Sequence, residues 1–283
     1  MRNTYLLLAS IAFSLVMIEL GLRLASGTYY AIAVYNLEGK PRLFQPMRPS
    51  SSGDNEIMLL GDSFTYGSGT INNETYPGFL QEMIPGSTII NYGVPGYNIG
   101  DVYELYLNHS SKPFIYGYFE NDAELSSYNM VKHCGLTPEA AFFHEVFGSM
   151  KLPYFVHQRT INLLFRLNIP SDDRTTVYLE HINSEESLEG YCVRKVLRKF
   201  NPEHGVFFHL PSYPIYHFRF YDELGSEAED AGFRVFDMPK YFESRDPHLS
   251  PSEMLTEDLH YGARGNLIIA QGVHEFLINN SFS

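Results

Sequence analysis

The sequence predicts an α/β fold: a three-layer α/β/α sandwich around a doubly wound, mainly parallel sheet of five strands. Three features point there. Short, continuously apolar runs such as residues 57–60 lack the alternation of a half-exposed strand and read as strands covered on both faces. They alternate with segments whose apolar residues recur at helical spacing. The loops after them, "GDSFTYG", "GVPGYN" and "FEND", are polar and mostly glycine-bearing. That places candidate chemistry beyond the carboxyl ends of the strands, where open α/β sheets bind ligands.

Residues 57–60 form the first strand, and Gly61 permits a sharp turn after it. Ser63 then falls where a strand feeds a helix. Backbone N–H groups are unpaired at a helix start, so this stretch alone leaves both a capping and a nucleophilic role open to Ser63. "ETYPGFLQEMI" reads as a short helix begun by Pro77. Residues 88–91 give a second strand that runs into the Gly93-Val94-Pro95-Gly96 loop, and "IGDVYELYLNH" is the next helix. Residues 114–119 form the third strand, ending in Glu-Asn-Asp. From about 123 to 187 the βα rhythm lapses into an aromatic-rich stretch, read as an insertion over the sheet. "LEGYCVRKVLRKF" is helical, "GVFFHLP" the fourth strand, "YDELGSEAEDAG" a helix and "FRVFDM" the fifth strand. "GARGNLIIAQGVHEFLINN" closes the chain as a helix packed by Leu267, Ile268, Ile269 and Val273.

The 283 residues, 44% of them hydrophobic, suffice for one large domain, assigned to 56–283. Ahead of it lie a connector over 28–55 and an apolar segment over 1–27. Residues 5–18 carry no charge, and Glu19 and Arg23 stand four apart, so on a helix they can pair and extend the apolar stretch toward the about 20 residues of a membrane span. An uncleaved N-terminal transmembrane anchor is the expectation. A cleaved signal peptide ending at the small residues 25–27, or a soluble helix, are the alternatives. Basic residues fall on both sides of the segment and set no orientation.

A formal net charge of −13, without any basic run, speaks against nucleic acid as a partner. Cys134 and Cys192 are the only cysteines, and no CxxC is present, which excludes a zinc ribbon; a single bridge between them is open in an oxidising compartment. His144-Glu145 and His274-Glu275 lack the second histidine of a zinc-hydrolase helix, so no metal site is expected.

Serine is a weak nucleophile unless a base takes its proton and a third group orients that base; the developing oxyanion needs donors held ready. Ser63 as nucleophile and His260 as base meet the first requirement, with Asp258 or Glu257 to orient His260. The N–H of Ser63, the N–H of Gly96 and the side-chain amide of Asn121 meet the second. The G-x-S-x-G elbow is absent, since Thr65 stands two past Ser63.

In order along the chain, "GDSFTYG", "NYGVPGYN", "FEND" and "EDLHYGARG" resemble the four blocks of the SGNH (GDSL-like) hydrolase superfamily. The resemblance implies Ser63 as nucleophile, Gly96 as oxyanion glycine with Gly93 as runner-up, Asn121 as oxyanion donor and His260 as base. It runs from Glu56 to the C-terminus, and implies a flavodoxin-like sheet and an acyl-enzyme route to ester hydrolysis that needs no cofactor. It also resembles a bacterial membrane-anchored subset. Two positions depart from the pattern. Phe119 stands where the third block has glycine, which narrows the floor of the hole or shapes it with a ring. The last block is commonly Asp-x-x-His, which places the acid at Glu257; a shorter Asp-x-His form places it at Asp258, the preferred assignment because the shorter carboxylate suits the tight spacing. The expected substrate is an acyl ester, with O-acetylated cell-envelope carbohydrate first, in a membrane-tethered extracytoplasmic enzyme. The rivals are an O-acyltransferase and an idle glycan-binding module on the same fold.

Overall fold

The computed structural model describes residues 55–109, 112–143, 187–202, 205–211, 219–245, 251–256 and 260–280, with Ser14 and Met17 as two helical positions upstream. Apart from those two positions, the expected N-terminal anchor lies outside the described residues, as do nearly all of the connector and most of the expected insertion. Among the described residues no helix is long and apolar enough to cross a membrane. The chain divides into two compact units, Met1–Leu43 with Ser126–Thr175, and Phe44–Leu125 with Thr176–Ser283. In the first, a π-helical turn, Met130–Cys134, ends at Gly135, whose φ of 74° is the left-handed conformation that glycine adopts without strain.

The second unit holds the sheet. Its strands are β1 (Asn55–Gly61), β2 (Ser87–Gly93), β3 (Phe114–Tyr118), β4 (Gly205–His209) and β5 (Arg234–Phe236). All neighbouring pairs are parallel, in the order β2-β1-β3-β4-β5. The doubly wound five-stranded sheet read from the sequence is the observed one. The helices are α1 (Ser63–Tyr66), α2 (Tyr76–Met83), α3 (Ile99–Leu107), α4 (Leu188–Leu197), α5 (Arg219–Asp230), α6 (Met238–Arg245), α7 (Pro251–Met254) and α8 (Ala263–Asn279).

Alternate residues of the inner strands β1, β3 and β4 serve two different cores, which is why those runs are apolar throughout. Ile57, Leu59, Ile89, Ile115, Val206 and Phe208 point to one face, packed with Leu80 of α2 and Ile268, Ile269 and Val273 of α8. The opposite face is aromatic: Phe114, Tyr116 and Phe207 of the strands meet Tyr106 of α3, Phe200 and Phe233. Burying those rings supplies much of the apolar area that holds the layers together.

The helices start where side chains accept the orphan N–H groups of the first turn. Thr75 Oγ1 accepts from Gly78 N at 3.2 Å, with Pro77 inside the first turn of α2. Asn98 and Asp101 form a capping box on α3. Two of these helices, α6 and α7, were not read from the sequence. The reading carried the fifth strand through Met238, but the strand stops at Phe236 and Asp237 Oδ1 accepts from Lys240 N at 3.0 Å, starting α6 one residue later.

Candidate active site

The strand register explains the glycines of the loops. Gly61 lies opposite Gly93 on one side and Gly117 on the other, so three glycines sit side by side at the carboxyl edge. A Cβ on Gly61 would stand 2.2 Å from Thr65 Oγ1, and one on Gly93 would stand 2.2 Å from the backbone nitrogen of Tyr66. The short helix α1 therefore rests directly on bare backbone. This fixes where Ser63, its first residue, emerges.

The cap of α1 is Asp62, whose Oδ1 accepts from Phe64 N at 2.9 Å. Ser63 is thereby relieved of the capping role that the sequence left open to it, and its hydroxyl is directed elsewhere. His260 Nε2 lies 2.9 Å from Ser63 Oγ, and Asp62 Oδ2 lies 3.4 Å away on another side. Asp62 is fully buried, and that burial pushes its carboxyl up to about 6 against the opposing pull of its hydrogen bonds.

His260 rides on a short loop whose backbone is tied at several points. Thr256 donates to the His260 carbonyl through both N, at 2.7 Å, and Oγ1, at 3.0 Å. Leu255 and Tyr261 form an antiparallel bridge. The Tyr261 carbonyl accepts from Thr70 Oγ1 at 2.7 Å and from Asn266 Nδ2 at 2.9 Å, and the Tyr261 hydroxyl donates to the Pro211 carbonyl. Asn266, buried on α8, also accepts from Tyr76 N at 3.0 Å through its Oδ1, so one amide joins the His260 loop to α2. None of Asp62, Thr70, Thr256, Tyr261 and Asn266 was singled out by the sequence. Only Asp62 carried a local signal, as an N-cap residue type one position before a helix. The other four matter through contacts distant along the chain.

Asn121 sits in the turn Glu120–Ala123 directly after β3. Its side-chain oxygen is buried with no hydrogen-bond partner among the described residues, so the protein does not spend this acceptor on holding the turn. That task falls to Asp122, whose Oδ2 accepts from Tyr116 Oη at 2.9 Å and Phe119 N at 3.3 Å. Burial, with Asp62 close by, pushes the Asp122 carboxyl well above its usual range.

Of the two candidate oxyanion glycines, Gly93 uses its N–H within the fold, donating to Asn91 Oδ1 at 2.8 Å. Gly96 occupies the left-handed position of a Pro-Gly turn, at φ 80°, closed by Tyr97 N donating to the Val94 carbonyl at 3.1 Å. That closing bond does not use the Gly96 N–H. The structure thus brings Ser63 and His260 together and places Gly96 and Asn121 in the turns after the two strands that flank β1. Asp258 and Glu257 lie outside the described residues.

No protein-family model and no curated protein matches the chain. Among solved structures it is similar to a member of the lipolytic protein G-D-S-L family from Veillonella parvula DSM 2008, at 14% identity and a TM-score of 0.42, over 79% of this chain and 98% of that one. A putative lipolytic protein of the same family from Desulfitobacterium hafniense DCB-2 gives 13% identity and a TM-score of 0.41, over 78% and 98%. A catalytic mutant of an acetylxylan esterase from Geobacillus stearothermophilus gives 14% identity and a TM-score of 0.43, over 83% and 98%.

Proposed function

We propose that this chain is a serine ester hydrolase of the SGNH type. The observation that carries the reading is the 2.9 Å contact between His260 Nε2 and Ser63 Oγ, made across nearly the whole length of the domain. In this mechanism His260 removes the Ser63 proton as Oγ attacks the acyl carbon. The tetrahedral oxyanion takes hydrogen bonds from the N–H groups of Ser63 and Gly96 and from the Asn121 amide. His260 returns the proton to the leaving alcohol, and a water activated by the same imidazole then releases the acid from Ser63. Asp258 is our assignment for the acid that orients His260, with Glu257 as the alternative.

The apolar run over 5–18 favours a membrane-tethered enzyme. O-acetyl groups on cell-envelope carbohydrate are the esters such an enzyme would reach. The test is stopped-flow hydrolysis of an activated acetate ester by wild type and Ser63→Ala. A burst of alcohol close to one per enzyme, followed by slower turnover and absent from Ser63→Ala, is the expected result. Turnover retained in Ser63→Ala contradicts the reading.

A further inference from the structure

The Asn121 side-chain oxygen is buried with no hydrogen-bond partner among the described residues, so the placement of its amide depends on the backbone that carries it. That backbone is bracketed by two acids. Glu120 and Asp122 are both fully buried, and each accepts from a tyrosine hydroxyl: Asp122 Oδ2 from Tyr116 at 2.9 Å, and Glu120 Oε1 from Tyr221. The two ties differ in reach. Tyr116 belongs to β3, the strand that runs into the turn, whereas Tyr221 lies on α5, 101 residues from Glu120 along the chain. Tyr221 is itself buried, its ring 4.5 Å from that of His209, the last residue of β4. Leu210 N donates to the Tyr118 carbonyl at 2.8 Å, which joins the ends of β3 and β4. On the Ser63 side, Phe119 leads into the turn and its ring stacks on Phe64 of α1 with centroids 3.8 Å apart.

Resting on the hydrolase reading above, we propose that Glu120 and Tyr221 are a positioning pair for the oxyanion donor: their hydrogen bond ties the turn Glu120–Ala123 to α5 and so sets where the Asn121 amide stands. Burying a carboxyl is costly unless it is hydrogen-bonded, and an apolar residue would fill the same space without that cost. What the glutamate adds is a directional contact to a remote helix. The turn's own backbone bonds, Asp122 N to the Phe119 carbonyl and Glu124 N to the Asn121 carbonyl, both at 2.9 Å, set its internal shape but not its tilt. The bond to Tyr116 supports the turn from its own strand, the stack on Phe64 from α1 and the bond to Tyr221 from α5. Three separate supports fix the orientation of the Asn121 backbone, where two would leave an axis to rock about. An oxyanion donor works only if it already stands about 3 Å from where the charge develops, and a misplacement of about 1 Å can cost about 10²-fold in rate.

The test is a double-mutant cycle in the full chain: Tyr221→Phe and Asn121→Ala singly and together, with Ser63→Ala as control. Steady-state kcat and KM on an activated acetate ester are measured for each. Tyr221→Phe keeps the ring against His209 and removes only the hydroxyl. We expect it to lower kcat about 10- to 10²-fold, short of the about 10²–10³-fold of losing a donor, with KM within about twofold because the donor acts in the transition state. In Asn121→Ala no donor is left to misplace, so adding Tyr221→Phe should lower kcat by no more than about twofold. Glu120→Met, which fills the space without an acceptor, runs the same cycle and keeps the proposal testable if Tyr221→Phe does not fold. Glu120→Gln, which keeps an acceptor for the Tyr221 hydroxyl, should be faster than Glu120→Met. An equal loss in both backgrounds, an unchanged kcat in a folded Tyr221→Phe, or a Glu120→Gln as slow as Glu120→Met overturns the proposal, while a dead Ser63→Ala leaves the hydrolase reading standing. Turnover retained in Ser63→Ala overturns both.

Discussion

Asp62 should make the protein less stable as pH rises, and Asp62→Asn should remove that loss. The carboxyl is fully buried and sits at about 6 instead of 3.8. Below about pH 4 folded and unfolded chains both carry the proton. Between about pH 4 and 6 the unfolded chain releases it while the folded chain keeps it, so stability falls as pH rises through that window. Above the folded value both states are ionised and the full cost remains. A shift of about two units is worth ~3 kcal/mol at 1.36 kcal/mol per unit. Asparagine keeps an oxygen for Phe64 N and carries no charge. At about 2 °C per kcal/mol for a domain of this size, the Tm of Asp62→Asn relative to wild type should climb from near zero at pH 4 to ~6 °C at pH 7. Thermal unfolding of both proteins across that range checks it. A Tm difference that is constant with pH, or that shrinks toward neutrality, would refute the electrostatic reasoning.

Gly93 and Gly96 give a contrast of two alanines. Gly93→Ala drives a Cβ to 2.2 Å from the Tyr66 nitrogen and should prevent α1 from seating, seen as loss of soluble folded protein. Gly96→Ala meets nothing within 4 Å and should cost only the ~1–2 kcal/mol of a left-handed backbone, read by denaturant unfolding. Asn121→Ala should lower kcat by about 10²–10³, the usual loss for one oxyanion donor, with Tm little changed because its side-chain oxygen holds no partner among the described residues. Asp258→Asn should cost up to about 10⁴ in kcat and Glu257→Gln less than about tenfold; the reverse order on one activated ester would assign the acid to Glu257.

How much of this was legible depended on whether the signal was local. The buried strands announced themselves because both faces of β1, β3 and β4 are covered, leaving no polar alternation to confuse the pattern. Ser63 and His260 were legible as residue types in ordered blocks, though their 2.9 Å contact follows only from the strand order that brings the two loops to one edge. Asp237-Met238-Pro239 did carry a helix-start signature, an N-cap residue followed by proline, but the apolar run before it absorbed Met238 into the strand. Asn266 offered nothing: an asparagine inside an apolar helix acquires meaning only once Tyr76 and Tyr261, remote in sequence, are placed beside it. Phe119 was visible as a departure, but its partner Phe64 was not, because stacking depends on how β1 and β3 pair.

The central claim is that Ser63 is the nucleophile and His260 its base. Incubating the protein with an organophosphonate and mapping the adduct by peptide mass spectrometry tests this most directly. The account predicts one stoichiometric adduct, on the peptide containing Ser63, absent in Ser63→Ala and formed far more slowly in His260→Gln. An adduct on another residue, or labelling of Ser63→Ala at the wild-type rate, would contradict it.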